Sequence, residues 1–173
     1  MNKPLYIIAA VDNNNGIGKG GKLPWHFTNE MAYFKRVTME VEDSSKQNMV
    51  IMGRTTWESI PEKFRPLEDR LNVVLTRRDE YEAPGAVVAH SFDEAMKLAD
   101  ENIEKVFAIG GMDIYTEAMA RDELVGIYLT RIDAEFDVDA YFPGIPADFS
   151  DIDPLGMDEE DGTSMLYLLL KRA

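Results

Sequence analysis

The sequence predicts one α/β domain: a mixed, mostly parallel central sheet flanked by helices, with an antiparallel strand at its carboxyl-terminal edge. Three observations point there. Short apolar runs recur from Leu5 to Leu170, most of them too brief for helices. Helix-like segments separate most of these runs, as the crossovers between parallel strands require. The last two runs have no helix between them and therefore pair antiparallel.

Each element has its own reason. Leu5–Val11 is an unbroken apolar run and reads as a buried strand. Thr28 is placed to cap a helix whose apolar face is Met31, Phe34, Val37 and Val41. Met49–Met52 is the second strand, followed by Gly53 and a short helix near Thr55–Ile60. Leu71–Leu75 is the third, and Ala86–Ala89 a short fourth. Ser91-Phe92-Asp93-Glu94 is a capping box opening a helix to about Glu101. Val106–Ile109 is a strand that leads through Gly110-Gly111 into a helix to about Ala120. Leu124–Ile132 and Met165–Leu170 close the chain as strands. The polar stretches Glu40–Asn48 and Asp148–Gly162 read as surface loops, because acidic and small polar residues are easily solvated.

Composition narrows the function. The 173 residues suit a single domain spanning the whole chain. Lys and Arg number 18 against 32 Asp and Glu, and the resulting net charge of −14 disfavours nucleic-acid partners. The absence of cysteine excludes disulfides, thiolate catalysis and zinc–thiolate sites. His26 and His90 alone do not make a multi-histidine metal centre, so no metal is expected. Leu5–Val11 is too short to cross a bilayer and poorly shaped as an export signal, so a cytoplasmic protein with no membrane partner is expected.

Two segments repeat one physical idea, strand then glycine then helix start: Val50-Ile51-Met52-Gly53-Arg54-Thr55-Thr56 and Phe107-Ala108-Ile109-Gly110-Gly111-Met112-Asp113. Such junctions offer free amides and a partial positive charge to a phosphate, or they simply end a strand in a tight turn. Thr76-Arg77-Arg78 puts two arginines at the carboxyl end of a strand, where they suit a ribose 2′-phosphate or stand as solvated charge. Asn13 to Lys22, with four glycines and three asparagines, suits a mobile loop ending on the rigid Trp25. Glu30 lies beside the apolar stripe of its helix. It reads equally as a solvated partner of the helix dipole or as one buried acid gripping an amidine-like edge of a flat heterocycle. Arg70 is placed either to clamp a ligand carboxylate or to pair with Glu68 or Asp69.

Taken together, these residues resemble the dihydrofolate reductase family from about Leu5 to Lys171. The resemblance is carried by Ile8-Ala9-Ala10-Val11-Asp12, by Gly16-Ile17-Gly18 before Leu23-Pro24-Trp25, and by Glu30 with Phe34-Lys35. It continues through Val50 to Ile60, Leu67 with Arg70 to Leu75, Ile109-Gly110-Gly111, Tyr115, and Leu129 to Ala134. It implies hydride transfer from NADPH to C6 of 7,8-dihydrofolate with protonation at N5, in a monomer.

The resemblance also implies roles. Glu30, Trp25, Thr130 and Tyr115 would carry the chemistry. Glu30 would grip the pterin 2-amino and ring N–H groups, and Thr130 would support that contact. Ile8, Ala9, Met31, Phe34, Ile60 and Leu67 would wall the substrate, and Arg70 would bind its glutamate carboxylate. Ala10, Ile17, Gly18, Gly53, Arg54, Thr55, Thr56, Leu75, Thr76 and Arg77 would line the cofactor site. Ile109, Gly110, Gly111, Met112, Asp113, Ile114 and Tyr115 would complete it, with the Gly110–Gly111 bond cis. A pyrimidine reductase of riboflavin biosynthesis and a non-catalytic pterin- or nucleotide-binding protein are the alternatives. Glu30 after Pro24-Trp25, together with Arg70, argues against the first, and Glu30 with the lid and Gly110-Gly111 against the second.

Overall fold

A computed structural model describes residues 3–173. In chain order its elements are β1 (Leu5–Val11), β2 (Gly16–Gly18), α1 (Thr28–Met39), β3 (Gln47–Gly53), α2 (Arg54–Ser59), β4 (Arg70–Leu75) and β5 (Val87–Ala89). There follow α3 (Phe92–Lys97), β6 (Ile103–Gly110), α4 (Met112–Met119), β7 (Leu124–Ile132), β8 (Ala140–Tyr141), β9 (Asp151–Glu160) and β10 (Thr163–Lys171).

Eight strands form one sheet in the order β5-β4-β3-β6-β1-β7-β10-β9. Neighbours from β5 to β7 are parallel. Strand β10 runs antiparallel to both β7 and β9. The central strands are apolar on both sides: Met49, Val50, Ile51 and Met52 are all fully buried, as are Val106, Phe107 and Ala108. One face packs on α3 and α4 through Phe92, Ala95, Ile114 and Ala118, the other on α1 and α2 through Tyr33, Val37 and Trp57. Burial on both faces is why these strands read as continuous apolar runs rather than alternating ones.

Several expectations are corrected. The stretch Asp148–Gly162 is not a loop, because it contains β9, the true edge of the sheet, and β10 lies inside it. Strand β9 exposes both faces at most positions and carries five acidic residues, so no alternation betrays it. Its Pro154 and a bulge at Leu155 also fit an edge, where no further strand pairs. The signal that could have found it is Asp161-Gly162, both with positive φ, the pair a tight hairpin turn demands.

Helix α1 differs in two ways. Its N-cap is Phe27 with no side-chain cap bond, so Thr28 does not cap it. Instead the Glu160 carboxylate accepts the Thr28 and Asn29 amides, each at 2.8 Å. Its buried residues are Glu30, Tyr33, Val37 and Thr38, whereas Met31 is 49% exposed and Phe34 half-buried. The stripe is rotated because Met31 and Phe34 face a cleft. Val41 lies beyond the helix.

Ser91 caps α3 by accepting from the Glu94 amide at 3.0 Å, as its capping box requires. That helix ends at Lys97, where Leu98 and Ala99 tighten into three-residue turn bonds. The glycine-rich segment after β1 is partly ordered: β2 pairs with β8 from far along the chain. Asp12 anchors it, its buried carboxylate accepting the amides of Asn14, Gly16 and Phe136 at 2.9, 2.7 and 3.1 Å. Glycine is required at position 16, where a Cβ would lie 2.7 Å from Val138.

Candidate active site

The carboxyl ends of β1, β3, β4 and β6 open onto one cleft of about 1480 Å³, the edge where open α/β sheets hold ligands. Ile8, Ala9 and Ala10 come from β1, Gly53 from β3, Leu75 from β4, and Ile109 and Gly110 from β6. Ile17, Gly18 and Trp25 enter from the glycine-rich segment, and Glu30, Met31 and Phe34 from α1. Arg54, Thr55 and Thr56 begin α2, while Met112, Asp113, Ile114 and Tyr115 begin α4. Ile60, Leu67, Arg70, Thr76, Arg77 and Gly111 also line the wall.

Thr130 is the one expected site residue that does not line the cleft. It is buried on β7, where it is the sheet partner of Ala10. Ala10 lines the cleft, so Thr130 stands on the same face of the sheet, one strand away from the cleft wall.

Glu30 is only 9% exposed, and burial pushes its carboxyl up to about 7. Desolvation is the cause, and it favours the protonated form far more than in an exposed carboxyl. The solvated helix-dipole reading of Glu30 is therefore set aside. Around it stand Tyr33, Tyr115 and Tyr167, whose hydroxyls are all held above their ordinary range, chiefly by burial. Trp25 is buried, packs on Phe136 at 5.2 Å between ring centroids, and leaves its indole Nε1 without a protein partner. That donor lies in a cleft-lining residue, ready for an acceptor.

Arg70 pairs with neither Glu68 nor Asp69. Its Nε donates to the Glu68 carbonyl and its Nη1 to Thr38 Oγ1, both at 2.9 Å. Glu68 pairs instead with Lys35. Burial lowers the Arg70 guanidinium below its usual range without removing its charge. Thr38, which the sequence reading passed over, thus has a place behind the cleft.

At the other end, the Gly110–Gly111 peptide is cis. Gly111 precedes α4 and offers no side chain to its free amides. Gly110 has φ of +125°, and a Cβ there would meet the Tyr115 hydroxyl at 3.2 Å. That hydroxyl lies 3.0 Å from both the Ile8 and Ile109 carbonyls, tying β1 to β6. Arg54 pairs with Glu58 at 2.9 Å, whereas Arg77 has no ion pair among the described residues.

A cleft with a buried acid on one wall, and uncapped helix amides with arginines on another, has the make-up of a small-molecule enzyme site. Comparison with known proteins specifies which. The family model for dihydrofolate reductase matches residues 4–172. The chain is 41% identical over 175 residues to the dihydrofolate reductase of Drosophila melanogaster, covering 96% of each chain. It is 42% identical to that of Aedes albopictus, covering 98% of each, and 46% identical to that of Bos taurus over 84% of this chain and 81% of the bovine one. The chain belongs to the dihydrofolate reductase family.

Proposed function

We propose that this cleft reduces 7,8-dihydrofolate to 5,6,7,8-tetrahydrofolate with NADPH, and that Glu30 is its acid. The observation that carries the reading is the placement of Glu30, a carboxyl buried at the cleft wall and raised by that burial to about 7. The reaction needs one proton at N5 and no covalent nucleophile.

The residues present fit NADPH. Uncapped amides at the head of α4, the side-chain-free Gly111, the hydroxyls of Thr55 and Thr56, and the guanidinium of Arg54 suit a pyrophosphate. Arg77, free of ion pairs among the described residues, suits a 2′-phosphate. When bound, NADPH supplies the hydride.

The chain's own residues do the rest. Glu30 in its ionised form accepts hydrogen bonds from the pterin 2-amino and ring N–H groups, and so fixes the ring's orientation. In its protonated form it supports protonation at N5. Phe34, Ile8, Ile60 and Leu67 wall the rings and exclude water. Arg70 receives the glutamate carboxylate, and Ile17, Gly18 and Trp25 cover the ring end. Thr130, beside Ala10 on the neighbouring strand, supports the pterin contact of Glu30 through its hydroxyl.

The proposal extends to a single domain of residues 1–173 and a cytoplasmic monomer that binds neither nucleic acid nor membrane. The net charge of −14 supports the first exclusion. No helix among the described residues is long and apolar enough to cross a membrane.

The test is NADPH oxidation by the purified protein with dihydrofolate, with the riboflavin-pathway pyrimidine as a competing substrate. Turnover of dihydrofolate alone is expected. Turnover of the pyrimidine alone, or tight NADPH binding with no turnover, would overturn the reading.

A further inference from the structure

We propose that Glu160 is a positioning residue for the reduction: from the tip of the β9–β10 hairpin it holds the first turn of α1, and through that turn it sets Glu30 in the cleft. The inference rests on the role of Glu30 given above.

The contact is two-pronged. Oε2 of Glu160 accepts the Thr28 amide and Oε1 the Asn29 amide, each at 2.8 Å. These are the residues immediately before Glu30. The helix has no cap of its own, since Phe27 stands at the N-cap position and presents no acceptor. The first intrahelical bond runs from the Met31 amide to the Phe27 carbonyl at 3.1 Å. Without Glu160 the turn bearing the acid would keep two more unmet donors.

The hairpin reinforces the hold. Asp158 accepts from the Asn29 side-chain amide at 3.2 Å. Tyr167 on β10 stacks on Tyr33 of α1, with ring centroids 4.0 Å apart. The turn residues Asp161 and Gly162 both have positive φ, so the chain reverses tightly and fixes where Glu160 points.

Charge gives the contact a second consequence. The amino-terminal end of a helix carries about half a positive charge, which favours the ionised form of an acid in the first turn. Glu160 offsets that positive end from outside, so Glu30 feels less of it. The charged and titratable groups near Glu160 are His26, Asp158, Glu159 and Asp161. Those facing Glu30 are Tyr33 of α1, Tyr115 of α4 and Tyr167 of β10, all neutral near pH 7. Loss of Glu160 therefore acts in one direction. It bares the helix end, lets water reach the first turn, and favours the ionised form of Glu30.

The experiment compares Glu160→Ala, Glu160→Gln and the exposed neighbour Glu159→Ala with the unaltered protein. It records turnover against pH between about 5 and 9, with melting temperature alongside. In Glu160→Ala the alkaline fall in kcat should begin lower by about half a pH unit or more. Glu160→Gln, which keeps an acceptor but not the charge, should lie between, and Glu159→Ala should overlay the parent. A Glu160→Ala profile that does not move, whatever happens to the melting temperature, would overturn the proposal. A Glu30→Gln variant run beside them separates the two readings. Full turnover there would overturn the role of Glu30, and this inference with it. Collapse there, with an unmoved Glu160→Ala profile, would overturn the inference alone.

Discussion

Thr38 holds Arg70 in place: the guanidinium Nη1 donates to the threonine Oγ1 at 2.9 Å, and that hydroxyl donates in turn to the Phe34 carbonyl at 2.8 Å. The proposed carboxylate clamp is thus tethered to the helix that bears the proposed acid. With Nε bound to the Glu68 carbonyl, the guanidinium is fixed along two edges. Thr38→Val keeps the shape and removes the tether. A hydrogen bond to a charged group contributes about 1.5–3 kcal/mol. The KM for dihydrofolate should therefore rise by about 10-fold or more with kcat nearly unchanged. Steady-state kinetics check this, and a substrate without the glutamate tail should show no change.

Glu30 links activity to stability. Its carboxyl is pushed from 4.5 up to about 7 by burial, so the folded protein holds a proton that the unfolded chain has released between those values. Stability then falls as pH rises through that window. In Glu30→Gln the penalty vanishes. Without ligands this variant should melt higher than the parent by about 5 °C or more at pH 8, with a smaller gain near pH 5. Thermal melts at the two pH values measure it, and an equal gain at both would contradict the buried acid.

The sheet and most of its helices were legible because the parallel strands are buried on both faces and so stand out as apolar runs. Leu5–Val11 and Leu124–Ile132 were bounded correctly for that reason. Strand β9 was not legible, since an exposed acidic edge carries the same composition as a loop. The cap of α1 was misplaced because its acceptor, Glu160, lies more than 130 residues away. Local capping rules favour Thr28, and no local pattern points to Glu160. Within the cleft, the residues at strand ends and helix starts were read from the strand–glycine–helix pattern and the family resemblance. Thr38 was missed because a threonine inside a helix gives no chemical signal until Arg70 is seen against it.

Arg77 is the proposed basis for choosing NADPH over NADH. Loss of one or two charge-assisted hydrogen bonds to a phosphate should weaken NADPH binding by about 10–100-fold in Arg77→Ala. NADH binding should hardly change. Cofactor titrations by fluorescence distinguish the two, and an equal loss for both would contradict the assignment.

Tyr115 joins β1 to β6 at the ligand edge through the Ile8 and Ile109 carbonyls. Tyr115→Phe removes the shared donor and leaves both buried carbonyls short of a partner. Destabilisation of about 1–3 kcal/mol is expected, together with weaker NADPH binding, since Gly110 lies against the same ring. Urea unfolding and cofactor titration check the two effects.

The most direct measurement is the pH dependence of dihydrofolate-driven NADPH oxidation in the unaltered protein and in Glu30→Gln. The parent should turn over rapidly at neutral pH and lose rate above about pH 7, as the buried carboxyl ionises. The variant should fall by about 100-fold or more, the usual worth of a positioned acid. A variant that keeps the parent's rate and pH profile would show that Glu30 is not the acid of this site.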